Sequence, residues 1–70
     1  MTTDQIADTA RPVLAESLAN TTLTISEDAV EIKIYGGGMG VASAVRSALP
    51  GVPCKSVSAL YFHRMTFLAS

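Results

Sequence analysis

The residues whose type and spacing could support chemistry are few, and a glycine-rich turn is the most prominent group. Four of the five glycines lie in the stretch Gly36–Gly40, between a strand-like run and a helical pattern. Exposed backbone N–H groups before a helix can bind an anion. The dinucleotide fingerprint is absent, because Val41 or Ser43 stands at its third glycine. No phosphate-loop lysine follows either, so we interpret the glycines first as a structural pivot.

The other candidates for catalysis or metal binding are isolated in the sequence. Cys54 is the single cysteine and His63 the single histidine, and no acidic residue follows Glu31. The serines in the second half lie in no nucleophile-elbow pattern. An enzyme needs several cooperating groups, and this chain offers very few. The sequence therefore predicts no enzyme, no metal site and no cofactor.

Charge is divided unevenly along the chain, although the formal net charge is only −1. All six acidic residues lie within the first 31 positions. The basic residues after that point are Lys33, Arg46, Lys55 and Arg64. Folding could bring the acidic and basic residues together, so that the surface has no face of one charge. Alternatively, the protein has a basic face for an acidic or phosphate-bearing partner, or two faces that pair head to tail.

Size and composition predict one small domain spanning residues 1–70. A chain of 70 residues buries only about 60% of its unfolded surface. Self-association would hide more apolar surface, so we expect a homodimer. A single cysteine excludes an intrachain disulfide. With no signal-peptide pattern and no apolar run of about 20 residues, we predict a cytoplasmic protein without a membrane partner.

Residues 2–19 are predicted to be helical. Thr2 and Gln5 fit a capping box. Apolar residues recur at helical spacing, namely Ile6, Ala10, Val13, Leu14 and Leu18. Pro12 leaves two arrangements open, because proline disrupts a helix interior but suits its first turn. Either the helix is kinked at Pro12, or an inner helix is capped by Thr9.

The middle of the chain predicts the end of the first helix, a hairpin and a second helix. Asn20 is expected to end the first helix in a left-handed conformation. Residues 21–35 predict a β-hairpin around the polar turn 26–28, with alternating apolar residues Leu23, Ile25, Val30, Ile32 and Ile34. Residues 41–49 predict a short helix that ends at Pro50-Gly51. Its apolar stripe is Val41, Ala44, Val45, Ala48 and Leu49.

The segment from Val52 onward fits a strand or a helix, and its β-forming residues favour a strand. We expect it to bend near His63-Arg64 into two paired strands. Its apolar end, residues 65–68, is either the last sheet strand or a partner-binding edge, and two such edges could pair in a dimer. The predicted fold is an α+β two-layer sandwich, with an antiparallel sheet of three or four strands and two helices on one face, in the order α-β-β-α-β(-β).

Two parts of the chain resemble known families. The stretch 37–40, Gly-Gly-Met-Gly, has the GxxG form of a KH domain, which clamps a nucleic-acid backbone, but a strand pattern precedes it where a KH domain has a helix. Residues 10–15 and 49–52, with the hairpin and glycine turn between them, resemble the C-terminal domain of NifU-like iron–sulfur scaffold proteins. That family carries Cys-x-x-Cys at the turn, which is glycine-rich here. The resemblance thus concerns the fold, and no site residue is transferred.

We predict a non-enzymatic protein-binding module of inhibitor or regulator type, comparable to small mobile-element accessory proteins, that occludes a surface of its partner. The predicted contact residues are Tyr35, Gly37, Gly38, Met39, Arg46, Lys55 and Arg64. Tyr61 and Phe62 are the other aromatics of interest. The alternative is nucleic-acid or phosphate-ligand binding through the glycine turn together with Lys33, Arg46 and Lys55.

Overall fold

The chain forms a four-stranded antiparallel sheet with two helices on one face. The computed structural model describes residues 1–17, 20–36 and 39–70, without the side chain of Met39. The elements are α1 (Thr3–Ala15), β1 (Asn20–Ile25), β2 (Ala29–Tyr35), α2 (Met39–Ala48), β3 (Cys54–Ser58) and β4 (Phe62–Leu68). The strand order is β1-β2-β4-β3. The predicted α+β sandwich and its element order are confirmed.

Helix α1 begins with the predicted capping box. The Gln5 backbone N–H donates to Thr2 Oγ1 over 3.2 Å, and the Thr2 backbone N–H donates to Gln5 Oε1 over 2.9 Å. Two N–H groups that the helix cannot satisfy itself are thereby bonded. The apolar face that follows buries Ile6 and Ala10 completely.

Pro12 lies inside α1, so the alternative of an inner helix capped by Thr9 is wrong. The Thr9 hydroxyl instead donates to the Gln5 carbonyl one turn earlier, over 2.8 Å. Buried residues before Pro12 and the partly buried Val13 and Leu14 after it outweigh the hydrogen bond that proline removes. The helix ends at Ala15, and Asn20 opens β1 opposite Tyr35. The predicted left-handed stop at Asn20 is therefore wrong.

The predicted hairpin is formed by β1 and β2. The Ser26 N–H donates to the Ala29 carbonyl over 2.8 Å and closes a two-residue loop, Glu27-Asp28. On β2 the alternating residues Val30, Ile32 and Ile34 are buried. Strand β1 lies at the sheet edge, where the helices cover it incompletely. Ile25, predicted to face inward, is therefore 41% exposed.

The C-terminal segment forms the two paired strands that alternation favoured, but the turn is earlier than predicted. It lies at residues 59–61, and β4 runs straight through His63-Arg64, because Met65 and Phe67 continue the buried alternation begun by His63. Strand β4 lies between β2 and β3. The C-terminal strand is thus no edge, and the edges of this sheet are β1 and β3.

Helix α2 packs on the sheet through Ala42 and Val45, and Leu49 directly after the helix joins the same core. Ala44, predicted to belong to this stripe, is exposed, because the buried face is rotated toward Ala42. The helix ends before Pro50-Gly51 as predicted, and Gly51 takes a φ of +80° there. The buried core draws on α1, β2, α2 and β4, and its members are Ile6, Ala10, Val30, Ile32, Ile34, Ala42, Val45, Leu49, Met65 and Phe67.

Candidate functional site

One face of the sheet is covered by neither described helix. Side chains alternate along a strand, and directly paired residues share a face. The register therefore places one set opposite the core: Thr22, Thr24, Glu31, Lys33, Tyr35, Lys55, Val57, Phe62, Arg64, Thr66 and Leu68. We call this surface the open face. Aromatic and basic residues occur together on this face.

An aromatic pair lies on the two central strands of the open face. Tyr35 pairs with Phe62 across β2 and β4. Their ring centroids are 5.8 Å apart at an interplanar angle of 49°, within the range of favourable aromatic contacts. The Lys33 ammonium lies 5.5 Å from the centroid of the Phe62 ring, in a cation–π arrangement. Aromatic contact area is thereby held rigidly at one end of the sheet.

Three basic side chains meet on the same face. Lys33 is directly opposite Arg64 in the β2–β4 register, and Lys55 is a diagonal neighbour of Arg64 across β3 and β4. Like charges that face each other across strands destabilise a sheet. Glu31 offsets part of this charge, with its Oε1 3.7 Å from Lys33 Nζ. The remaining positive charge favours an anionic partner.

The turn between β3 and β4 adds two apolar side chains beside the aromatic pair. The Ala59 N–H donates to the Phe62 carbonyl over 2.8 Å and closes the loop Leu60-Tyr61. Leu60 is 86% exposed and Tyr61 is 78% exposed. Two-residue hairpin loops favour Asn-Gly with positive φ, whereas no described non-glycine residue has positive φ. Neither burial nor turn preference explains these residues, which points to contact with another molecule.

The structure brings together three of the predicted contact residues and separates another from them. Tyr35, Lys55 and Arg64 share the open face. Arg46 lies on α2 and donates a hydrogen bond to Ser56, on the other side of the sheet. Gly37, Gly38 and the Met39 side chain lie outside the described residues.

Leu60 and Val57 were not predicted as contact residues, although Val57 is 48% exposed on the open face. A local feature of the sequence could have identified the exposed turn. Leu60 and Tyr61 are consecutive apolar residues that break the strand alternation, and such a break can mark an exposed turn.

The helix-covered side carries a second polar group of side chains. Ser58 Oγ and His63 Nδ1 are 2.8 Å apart, and Cys54 Sγ is 3.9 Å from Ser56 Oγ. Within the described ranges, no group of three histidine, cysteine or acidic residues is arranged to hold a metal ion. None of the helices in the described parts of the chain has both the length and the apolar character to cross a membrane.

No family model, curated protein or solved structure matches this chain. The resemblance to NifU-like C-terminal domains rests on short matching sequence segments and stays a prediction.

Proposed function

We propose that this chain is a non-enzymatic protein-binding module of inhibitor or regulator type that occludes an acidic surface of its partner. The observation that carries the proposal is the exposure of Leu60 and Tyr61, at 86% and 78%. They adjoin Phe62, which contacts Tyr35 on the open face. Together these residues form an apolar and aromatic end of the sheet rimmed by basic side chains.

Burial of the Leu60-Tyr61 turn would supply much of the binding energy. Burying a leucine-sized side chain stabilises a complex by about 1.5–3 kcal/mol. Tyrosines near the centre of an interface are frequent hot spots, and their truncation costs about 2 kcal/mol or more. A two-residue loop restricts the backbone that carries these side chains, so binding loses little backbone entropy. The turn is therefore the proposed anchor.

Charge on the open face indicates the chemistry of the partner. Lys33, Lys55 and Arg64 are close to one another in the sheet register, with Glu31 as their described acidic neighbour. A partner that presents carboxylates would relieve the repulsion between Lys33 and Arg64. Complementary charge also accelerates encounter and fixes orientation. We therefore propose a protein partner with an acidic contact surface.

Cytoplasmic location and self-association are part of the same proposal. The edge strands β1 and β3 each offer an outer row of backbone groups to a second copy. Edge pairing in a homodimer would leave the open face exposed to another protein. Sedimentation equilibrium tests the proposed homodimer, and a monomer at every accessible concentration would contradict it.

The test of partner binding replaces Leu60-Tyr61 by Asn-Gly. This double variant removes the proposed anchor and installs the residues that a two-residue hairpin favours. Partners captured by wild-type protein from a native extract are identified, and the affinity of each purified partner is measured by calorimetry. We expect the variant to fold with equal or greater stability and to bind about 300-fold more weakly or worse.

The matched control is the same replacement at the other two-residue loop, Glu27-Asp28, at the opposite end of the sheet. Its backbone bond from Ala69 N–H to the Asp28 carbonyl, 2.8 Å long, does not depend on the side chain. We expect this control to bind at least as tightly as the wild type, because it removes two negative charges that an acidic partner would repel. Equal binding by wild type and the L60N/Y61G variant would refute the proposed anchor.

A second candidate function is the binding of single-stranded nucleic acid. It is favoured by the aromatic pair Tyr35 and Phe62 on a sheet beside Lys33 and Arg64, since bases stack on aromatic side chains flanked by cations. Such binding would weaken steeply as salt rises. Titration with mixed oligonucleotides tests it, and the absence of binding at low salt would remove it.

A further inference from the structure

A cleft with several polar side chains in its lining opens on the side of the sheet away from the open face. It lies between α2 and the β3–β4 pair, and its lining residues are Ala42, Ser43, Arg46, Ser56 and His63. Its volume is about 320 Å³, at the small end of the range of about 300–1,000 Å³ for ligand pockets. The cleft can thus admit a small ligand, or one end of a larger one.

The lining groups are mostly hydrogen-bond donors. Arg46 Nη2 donates to Ser56 Oγ, which ties the guanidinium group to the edge strand β3. His63 Nδ1 contacts Ser58 Oγ over 2.8 Å, so Nε2 is the ring nitrogen through which His63 could engage a ligand. The hydroxyls of Ser43 and Ser56 add two uncharged hydrogen-bond donors. A guanidinium group beside hydroxyls is a common arrangement for binding phosphate oxygens.

No carboxylate competes for this position among the lining residues. The three elements that form the cleft follow Glu31, and the sequence contains no acidic residue after it. Glu31 itself lies on the open face, where it contacts Lys33. The uneven distribution of charge in the sequence therefore leaves α2, β3 and β4 without acidic residues. An anion in the cleft would meet Arg46 without facing a negative side chain from α2, β3 or β4.

We propose that this cleft binds a phosphate group, either as free inorganic phosphate or as the phosphate end of a small monoester. The Arg46 guanidinium contacts two phosphate oxygens, because its planar fork matches their spacing. Ser43 and Ser56 donate to the phosphate oxygens from α2 and β3. This site is separate from the proposed protein-binding surface, so either can fail without the other.

The test follows backbone and ring NMR signals during titration at constant ionic strength. Three probes are used, namely inorganic phosphate, a nucleoside 5′-monophosphate and the same nucleoside without phosphate. We expect saturable shifts at Ser43, Arg46, Ser56 and His63 with one or both phosphate probes. Saturation by inorganic phosphate assigns a free-ion site, and saturation by the monophosphate alone assigns a monoester site.

Two arginine variants separate specific binding from general attraction. Arg46→Gln removes the guanidinium from the cleft, and we expect it to weaken phosphate binding about tenfold or more. Arg11→Gln changes the net charge equally on α1, where Arg11 pairs with Asp8, and we expect it to leave phosphate affinity unchanged. Ser43→Ala tests the site without altering charge, with an expected loss of about threefold to tenfold.

Several results would overturn the proposal. Equal weakening by R46Q and R11Q would show general electrostatic attraction. Equal binding of the nucleoside without phosphate would show that phosphate is not recognised. Shifts spread over the open face, or no saturable shift with either phosphate probe, would exclude a phosphate site in the cleft.

Discussion

Adjacent residues of β4 have opposite environments, which separates stability from binding at the scale of single residues. Phe67 is 1% exposed within the core, whereas Leu68 is 37% exposed on the open face. Side chains of successive strand residues point to opposite faces of the sheet. A substitution at one position therefore tests the core, and a substitution at the next tests the open face.

Phe67→Ala is expected to destabilise the protein severely. Removing a buried phenyl group costs about 3–5 kcal/mol through lost burial and the cavity left behind. A domain of this length has a total stability of only about 4–10 kcal/mol, so the variant should be largely unfolded at moderate urea concentrations. Leu68→Ala is the neighbouring control, with an expected loss near 1 kcal/mol. Urea unfolding followed by circular dichroism measures both, and equal losses would contradict the assignment of faces.

Site residues were predictable where residue type alone marks them as interface residues. Tyr35, Lys55 and Arg64 were predicted on this basis, and the sheet register brings them to one face. Their convergence was not readable from the sequence, because it depends on β4 lying between β2 and β3. Arg46 lies on α2, which packs on the other side of the sheet. Pairing between distant segments decides which predicted residues meet.

The sequence predicted the elements that have strong local signals at their correct positions. It misplaced the β3–β4 turn, which has no such signal. The Thr2–Gln5 capping box marks the start of α1, and alternation marks the β1–β2 hairpin. The β3–β4 turn lacks glycine, asparagine and proline at residues 59–61, so local turn chemistry could not locate it. The prediction instead put the bend at the polar pair His63-Arg64. Burial of Met65 and Phe67, a tertiary effect, keeps that pair within the strand.

Pro12→Ala is expected to stabilise the protein. Proline inside α1 removes one backbone hydrogen bond and crowds the preceding turn. Alanine restores the N–H, although the more flexible unfolded chain offsets part of the gain. We expect a net increase of about 1–2 kcal/mol in the free energy of unfolding. A stability equal to or below that of the wild type would show that α1 accommodates the proline without strain. Thermal unfolding and circular dichroism provide the measurement.

Over the whole molecule, folding keeps most of the charge division of the sequence, with Glu31 as an acidic residue on the open face. The acidic residues belong to α1, the β1–β2 hairpin and nearby segments, while the cations after Ile32 lie on the open face and in the cleft. A net charge of −1 therefore describes the surface poorly. Local potential, rather than net charge, governs contact with a charged surface, since screening limits interactions to about 10 Å at 0.1 M salt.

The protein is accordingly expected to be retained by a cation-exchange resin at pH 7 and low salt, despite its negative net charge. Lys55→Gln and Arg64→Gln should elute at lower salt, because each removes a cation from the open face. Arg11→Gln is the control, since Arg11 lies on α1 in an ion pair of 3.0 Å with Asp8. Salt-gradient chromatography gives the elution positions. Equal shifts in all three variants, or no retention of the wild type, would contradict a basic open face.

The two sheet edges differ in a way that affects the behaviour of the protein at high concentration. Edge strand β3 carries Lys55, whereas β1, with the sequence Asn-Thr-Thr-Leu-Thr-Ile, has no charge, proline or glycine. Charged residues on an edge discourage the addition of foreign strands, and short uncharged β-forming segments favour cross-β fibrils. Strand β1 is thus the expected nucleation site for amyloid-like assembly.

Thr24→Lys should protect this edge, because it places an ammonium group opposite Glu31 in the β1–β2 register. We expect a longer lag before thioflavin fluorescence rises in concentrated, agitated solution. Thr24→Val, which adds no charge to the same edge, is the control and should not lengthen the lag. Pairing of β1 with its counterpart in a second copy would shield the same backbone. A homodimer of that kind would delay fibrillation as well as bury surface.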